Sequence, residues 1–316
     1  MKKLTVLAVA AMLTAVPAAG VSAAGDLTFA TGGSSGTYYA FGSVLAGEVS
    51  SDTDTTVTAV ESNGSADNVD QVDAGDADIA FCQSDVMAYA HDGINLFEGD
   101  PIDSFSTVAA LYQEQVQIIT TNPDIKTVAD LKGKNVSIGA SGSGVYFNAM
   151  DLLNAYGLTE EDINPTYESF ADSADSLKDG KIDAAFITAG APTTAVTDLS
   201  TAKDVYLVSI DDEHMKTLLE ECPYYTENTI SADTYGLDED VKTVAVGAVV
   251  IASNDVSEDD IYNFVSGVFE HTDAIKTAHA KGEELDLDYA ASITSVPYHA
   301  GAAKYFEEKG LTVEAE

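Results

Sequence analysis

The chain contains no arginine: its 14 basic residues are all lysine, set against 53 acidic ones, for a formal net charge of −39 over 316 residues. Nucleic acids and anionic lipid surfaces are held by clustered Lys and Arg that neutralise phosphate, so this balance argues strongly against DNA, RNA and membrane surfaces as partners. Such acidity is expected as a heavily solvated surface, and with no Asp-x-Asp-x-Asp-Gly loop a calcium site has no support. Cysteine is nearly as scarce. Cys82 and Cys222 are the only two, which excludes a disulfide scaffold. Cys82 ends an apolar run and Cys222 sits in a Pro/Tyr-rich turn, so separate thiols are expected. The five His are scattered without zinc-type spacing. Neither a Gly-x-x-x-x-Gly-Lys loop nor a complete Gly-x-Gly-x-x-Gly is present, so no nucleotide, metal or other cofactor is expected.

Residues 1–24 read as a secretory signal peptide. Lys2 and Lys3 form a positive start, Leu4 to Val16 an apolar core too short to span a bilayer comfortably, and Ser22-Ala-Ala24 a small-residue cleavage site. No Cys stands there to carry a lipid. An exported, soluble, periplasmic protein is expected.

The remainder is long enough for two cores, and a hydrophobic content of 45% excludes general disorder. Two stretches repeat one another in order. Asp26-Leu-Thr-Phe-Ala runs into the Gly/Ser turn Thr31-Gly-Gly-Ser-Ser-Gly-Thr-Tyr-Tyr39, as Asn135-Val-Ser-Ile-Gly runs into Ala140-Ser-Gly-Ser-Gly-Val-Tyr-Phe147. Each is followed by a helical pattern and a shared phrase, Gln71-Val-Asp-Ala-Gly-Asp-Ala-Asp-Ile-Ala-Phe81 and Leu177-Lys-Asp-Gly-Lys-Ile-Asp-Ala-Ala-Phe186. Gly75 and Gly180, Asp78 and Asp183, and Phe81 and Phe186 match.

Strands are predicted at Leu27–Ala30, Thr55–Glu61, Ile79–Cys82, Ser106–Tyr112, Gln115–Thr121, Val205–Ile210 and Val241–Ile251. Helices are predicted at Tyr39–Val49, from Ser65, over Thr127–Asn135 and Glu213–Glu221, and as one long element over Glu258–His279. Strands alternating with helices predict an α/β protein with parallel sheets, in which two like lobes clamp a ligand.

Ligands of such sheets bind beyond the carboxyl ends of the strands, where the loops Thr31–Tyr39, Gln83–Asp85, Ser141–Gly144 and Thr188–Pro192 fall. Each feeds a helix, whose free N–H groups and dipole hold a carboxylate without a basic side chain. Ser35, Thr37, Ser141 and Ser143 add hydroxyls, although the same residues also serve simply as turns and caps. Tyr38, Tyr39, Tyr112 and Tyr146 flank these loops. Gly32-Gly-Ser34-Ser-Gly36 matches a nucleophile elbow, but on the first strand, earlier than that fold places it.

Together these segments resemble the TAXI family, the extracytoplasmic receptors of tripartite ATP-independent periplasmic (TRAP) transporters. The resemblance rests on Leu27 to Tyr39, Asn63-Gly-Ser-Ala-Asp-Asn68, Gln83-Ser-Asp85, Ala110-Leu-Tyr-Gln-Glu114, Val136 to Gly144, Gly180 to Phe186, Gly190-Ala-Pro192, and Pro297-Tyr-His-Ala-Gly-Ala302 with Tyr305-Phe. It spans the mature chain. Three positions depart from the family's pattern: Val145-Tyr146 stands where a basic residue is frequent, Asn63 replaces a Gly, and Ile230-Ser-Ala lacks a Pro.

The resemblance implies a two-lobed, type II-like periplasmic-binding-protein fold. Domain I would be discontinuous, 25–115 plus 226–316, with domain II over 116–225. It implies a monomeric receptor, not an enzyme, that carries a small carboxylated solute, a glutamate- or glutamine-like amino acid or an organic acid, to TRAP membrane subunits. Ser35, Gly36, Thr37 and Tyr38 are expected to hold one end of the ligand and Ser141, Ser143 and Gly144 the other. Ser84 and Asp85 would add polar contacts, Asp85 facing an ammonium if the ligand is an amino acid, while Tyr112 and Tyr146 line the rest. The alternatives are a binding protein of an ABC transporter, a sensor presenting its ligand to a kinase, and a serine hydrolase built on Ser34.

Overall fold

Long apolar runs set the frame of the fold. A strand buried on both faces has no need of alternation, and Ile79-Ala-Phe-Cys-Gln83 is buried at every position. The computed structural model describes residues 25–316, so the expected signal peptide lies outside the described residues. In chain order the strands are β1 (Asp26–Ala30), β2 (Thr56–Val60), β3 (Ile79–Gln83), β4 (Phe105–Thr120), β5 (Asn135–Ser137), β6 (Asn164–Thr166), β7 (Ala184–Ala189), β8 (Tyr206–Leu207), β9 (Thr226–Ile230) and β10 (Val241–Ser253). The helices are α1 (Thr37–Asp52), α2 (Ser65–Ala74), α3 (Ser84–Asp92), α4 (Val145–Ala155), α5 (Phe170–Lys178), α6 (Thr194–Ser200), α7 (Asp212–Glu221), α8 (Ala232–Tyr235), α9 (Glu258–Phe269), α10 (Thr272–Ala278), α11 (Leu287–Ala290) and α12 (Ala300–Glu308).

The sheet order is β2-β1-β3-β10-β4-β7-β5-β6, with β8 beside β4 and β9 beside β10. Pairing is parallel among β1, β2 and β3 and among β5, β6 and β7, whereas the long strands β4 and β10 run antiparallel to their neighbours. These two strands serve both lobes. Val108 to Tyr112 and Ala248 to Ala252 pack into the first lobe's cores. Val116, Ile118, Ile119, Val244 and Val246 pack into the second lobe's. The polar stretch Gln113-Glu114-Gln115 lies where β4 passes from one to the other.

The repeated phrases do matching work. Gly75 and Gly180 turn the chain at φ +74° and +69°, a region open to glycine. Asp78 Oδ2 accepts from Thr28 N at 2.7 Å, and Asp183 Oδ2 accepts from Asn135 N at 2.9 Å. Phe81 and Phe186 are fully buried, one in each lobe's core.

Several expected boundaries change. Ser106–Tyr112 and Gln115–Thr121 are one strand, β4, because the polar residues between them find partners without breaking the ladder: Glu114 faces the cavity and Gln113 bonds Thr226 and Asn228. The helix expected over Glu258–His279 is two, α9 and α10; the chain leaves the helical path at His271, whose ring nitrogen bonds Gly267 O at 3.1 Å. Thr127 opens only a single 3₁₀ turn, Val128–Leu131, closed by a Thr127/Asp130 capping box. Of Val205–Ile210 only Tyr206–Leu207 pairs as strand. Cys82 and Cys222 are both free thiols, as expected.

Candidate functional site

Five strand-to-helix loops at the carboxyl edge of the two half-sheets end in N-caps that converge. A cavity between the lobes, with about 80 Å³ of room for water centres, is lined by Gly36, Gly64, Gln83, Gly144 and Ser169, which are the N-caps of α1 to α5. Of these only Ser169 caps its own helix, its Oγ accepting from Asp172 N. The first-turn N–H groups of α1, α2, α3 and α4 therefore have no side-chain cap. Uncapped N–H groups at a positive dipole end form an anion site without any basic residue. No Lys or His is among the lining residues.

The walls come from both lobes. Gly32, Gly33 and Ser35 to Tyr38 enter from the β1–α1 loop and Ser62 to Ser65 from the β2–α2 loop. The second lobe contributes Ala140, Ser143 to Val145, Ser169, Phe170, Thr188 and Ala189. Gln83 Oε1 and Ser143 Oγ are buried without a partner, one from each lobe. Buried polar atoms are normally satisfied, so these two mark where a polar ligand atom belongs. A side chain at Gly144 would displace the Gln83 amide: its Cβ would lie 2.5 Å from Gln83 Cδ.

Glu114 is the cavity's one carboxyl. It is 1% exposed and its Oε2 accepts from the Tyr38 hydroxyl at 2.6 Å. Burial pushes the carboxyl up to about 8; the Tyr38 hydrogen bond and Lys281 pull the other way, and Asp85 adds to the rise. Tyr38 is itself held far above the usual phenol range by burial and by Glu114, so it acts as donor. Its ring stacks on Phe81 at 4.5 Å and 6°.

The lobes touch directly across this cavity. Thr37 Oγ1 donates to Gly190 O at 3.0 Å, Ala195 N to Ser35 O at 3.3 Å, and Asp67 N to Gly142 O at 2.9 Å.

Of the residues singled out from sequence, Ser35, Gly36, Thr37, Tyr38, Ser143 and Gly144 come together here. The others stand elsewhere. Ser84 Oγ accepts from Gly247 N at 2.9 Å, binding α3 to the crossing strand β10. Asp85 is fully buried, outside the lining, and accepts from Asn148 Nδ2 at 2.9 Å. Tyr112 is buried in the first lobe's core against Phe41, with Lys281 Nζ 5.4 Å from its ring centre. Ser141 is exposed at the loop tip. Tyr146 turns away along α4 and donates to Glu160 at 3.1 Å. Ser34 is exposed outside the lining, and among the described residues no hydrogen bond joins it to a His.

Glu114 and Gln83 carry the site's polarity; the sequence placed Gln83 in an expected cleft loop and Glu114 in a family-like motif, but singled out neither as a ligand contact. The available signal was a charged or amide residue inside an otherwise apolar strand run, which burial tolerates only with a reason.

The model of the NMT1-like family matches residues 29–310. Among solved structures, MatC from Rhodopseudomonas palustris with bound malate is similar at a TM-score of 0.58 and 14% identity, over 90% of this chain and 96% of that one. A putative L-cystine ABC transporter protein from Listeria monocytogenes is similar at 0.51 and 15% identity, over 86% and 99%. The alkanesulfonate-binding protein SsuA from Xanthomonas axonopodis pv. citri bound to MOPS gives 0.50 and 17%, over 90% of each chain. At these identities the likeness is one of fold, the two-lobed fold of periplasmic binding proteins.

Proposed function

The chain belongs to the NMT1-like family, and on that premise we propose that it is an extracytoplasmic solute receptor that closes on a small carboxylated ligand. The observation that carries this reading is the convergence of five helix N-caps on one cavity without a basic side chain. The ligand carboxylate takes the N–H groups at these helix starts, and Gln83 and Ser143 bond its polar atoms. Glu114 replaces Asp85 as the partner of an ammonium, which makes a glutamate- or glutamine-like amino acid one candidate. With its carboxyl neutral, Glu114 instead offers a hydroxyl hydrogen to an organic acid. The volume favours a small solute.

Domain I is taken as 25–115 plus 226–316 and domain II as 116–225, except that β9 and the start of β10, with Val244 and Val246, pack with the second lobe; β4 and β10 are the crossing strands about which the lobes swing. The TAXI-like motifs support delivery to a TRAP-type transporter from the periplasm. A second reading, an ABC-type binding protein, is favoured by the fold shared with the Listeria monocytogenes protein.

A thermal-shift screen of the mature protein against amino acids and short organic acids tests the receptor. A ligand at a hundred times its dissociation constant adds about 2.7 kcal/mol of stability. Silence across both classes overturns a carboxylated ligand. The two carrier readings separate in vesicles holding the candidate membrane subunits: uptake driven by an ion gradient without ATP supports the TRAP reading.

A further inference from the structure

Beneath the cavity floor a chain of hydrogen bonds leads from a wall residue to a buried carboxyl on the opposite lobe. Thr188, which lines the cavity from β7, donates its hydroxyl to Asn148 Oδ1 at 2.8 Å. Asn148, on α4 of the second lobe, donates Nδ2 to Asp85 Oδ2 at 2.9 Å, on α3 of the first. It also lies 2.7 Å from the Tyr225 hydroxyl, which donates on to Asp151 at 2.9 Å. Asp85 and Asn148 are both 0% exposed, and Asp85 Oδ1 has no partner.

The groups facing Asp85 are all neutral or acidic. Asp151 stands on α4, Cys82 on β3, Glu114 on β4, Tyr89 on α3 itself, and Cys222, Tyr224 and Tyr225 after α7. Among the described residues no lysine or histidine pairs with it. A carboxylate buried without a cation is costly, and the group keeps its proton instead.

We propose that closure of this receptor is coupled to uptake of one proton from solvent at Asp85, which Asn148 of the opposite lobe then seals beneath the cavity. Parting the lobes separates α3 from α4, lets water reach Asp85 and returns it to an ordinary carboxylate; joining them seals it away with its proton. No bond but O–H changes, and the proton comes from solvent. This deepens the receptor reading and rests on its hinged closure. The carboxyl is pushed up to about 7 in the closed form, by burial first and Asp151 second. The closed form is therefore favoured as pH falls through 7 toward the ordinary carboxylate range near 4, by at most about tenfold per pH unit. Above 7 and below 4 the dependence from this group vanishes.

Small-angle X-ray scattering of the mature protein from pH 4.5 to 8.5 tests this without any ligand. The compact fraction of Glu114→Gln is expected to grow as pH falls through 7, and that of the double variant with Asp85→Asn, which is permanently neutral there, to stay flat and high at pH 8. Glu114 lies between the lobes and also titrates in this region, so both chains carry Glu114→Gln to leave Asp85 as the group under test. Asp85→Ser, which removes the carboxyl altogether, provides a second variant in the same background if Asp85→Asn fails to fold, and is expected to flatten the step likewise. A step of equal size with and without Asp85→Asn, or Asp85→Ser in its place, overturns the proposal, as does a Glu114→Gln profile without a step. Either failure leaves ligand-induced thermal shifts unaffected, so the receptor reading stands or falls separately.

Discussion

Tyr38 donates its hydroxyl hydrogen to Glu114 Oε2 across 2.6 Å, so the first turn of α1 and the crossing strand β4 meet in one buried hydrogen bond. Everything about Glu114 follows from its burial. A carboxyl whose folded value is about 8, against an ordinary value near 4.3, binds its proton more tightly in the folded chain. Folding is then penalised progressively as pH rises from about 4 through 8.

Glu114→Gln removes that penalty while keeping the shape. Its melting temperature is expected to match the wild type at pH 5 and exceed it at pH 9, by an amount equivalent to a few kcal/mol at most. Calorimetry at the two pH values checks this. A gap that does not change with pH means that Glu114 does not titrate in the window. Affinity for a 2-amino acid falls at least tenfold in the same variant if the ammonium sits on Glu114.

Gly144→Ala tests the cavity without touching charge. The added Cβ meets the Gln83 amide, 2.5 Å from Cδ and 2.9 Å from Nε2, and pushes it into the ligand space. Overpacking of this kind costs about 1–3 kcal/mol, and ligand affinity is expected to fall at least tenfold. Gly47→Ala is the control. Nothing stands within 4 Å of a Cβ there, and the site is inside α1. Replacing a helical glycine stabilises by roughly 0.5–1 kcal/mol, so its melting temperature rises and its affinity stays the same.

The sequence disclosed the architecture because the architecture repeats. Gly75 with Gly180 and Asp78 with Asp183 are short-range devices, a positive-φ turn and a side chain tied to a strand's backbone, and such devices leave fixed spacings. The loops that line the cavity were legible for the same reason, since Gly and Ser are what a strand-to-helix turn beside a ligand needs. Direction was not legible. Tyr38 and Tyr146 hold equivalent places in the two copies, yet one enters the cavity and the other turns toward Glu160. Ser84 and Asp85 follow a cavity residue, Gln83, and both point elsewhere, because α3 starts at Ser84 and turns each successive residue by about 100°. The crossing of β4 was hidden too: Gln113-Glu114-Gln115 reads as a break in a strand until a second lobe is known to lie beyond it.

Thr37 is the clearest clasp between the lobes. Its buried hydroxyl donates to Gly190 O at 3.0 Å, an oxygen also bonded by Thr193 at 3.0 Å. Thr37→Val keeps the volume and removes the donor. A net hydrogen bond is worth about 1 kcal/mol, roughly a fivefold change in the balance of closed and open forms. Ligand dissociation is expected to quicken by about that factor with association unchanged, and Thr37→Ser to restore the wild-type rate. Equal slowing of association in Thr37→Val means that the hydroxyl acts before closure, on the ligand itself.

The two thiols give the last test, because export to an oxidising compartment would let them pair if the fold permitted. Cys82 is fully buried in β3, with its thiol pushed well up by burial and by Asp85, while Cys222 is partly buried and pushed up to about 12 by burial and by Asp151. Only the thiolate attacks a disulfide reagent, so both groups are expected to be inert toward Ellman's reagent in the native protein at pH 8. In denaturant both react, giving two thiols per chain. The melting temperature is the same with and without reductant, since no cross-link constrains the unfolded chain. A titre near zero in denaturant, joined to a melting temperature lowered by reductant, requires Cys82 to leave the core of β3 and the first lobe to be built otherwise.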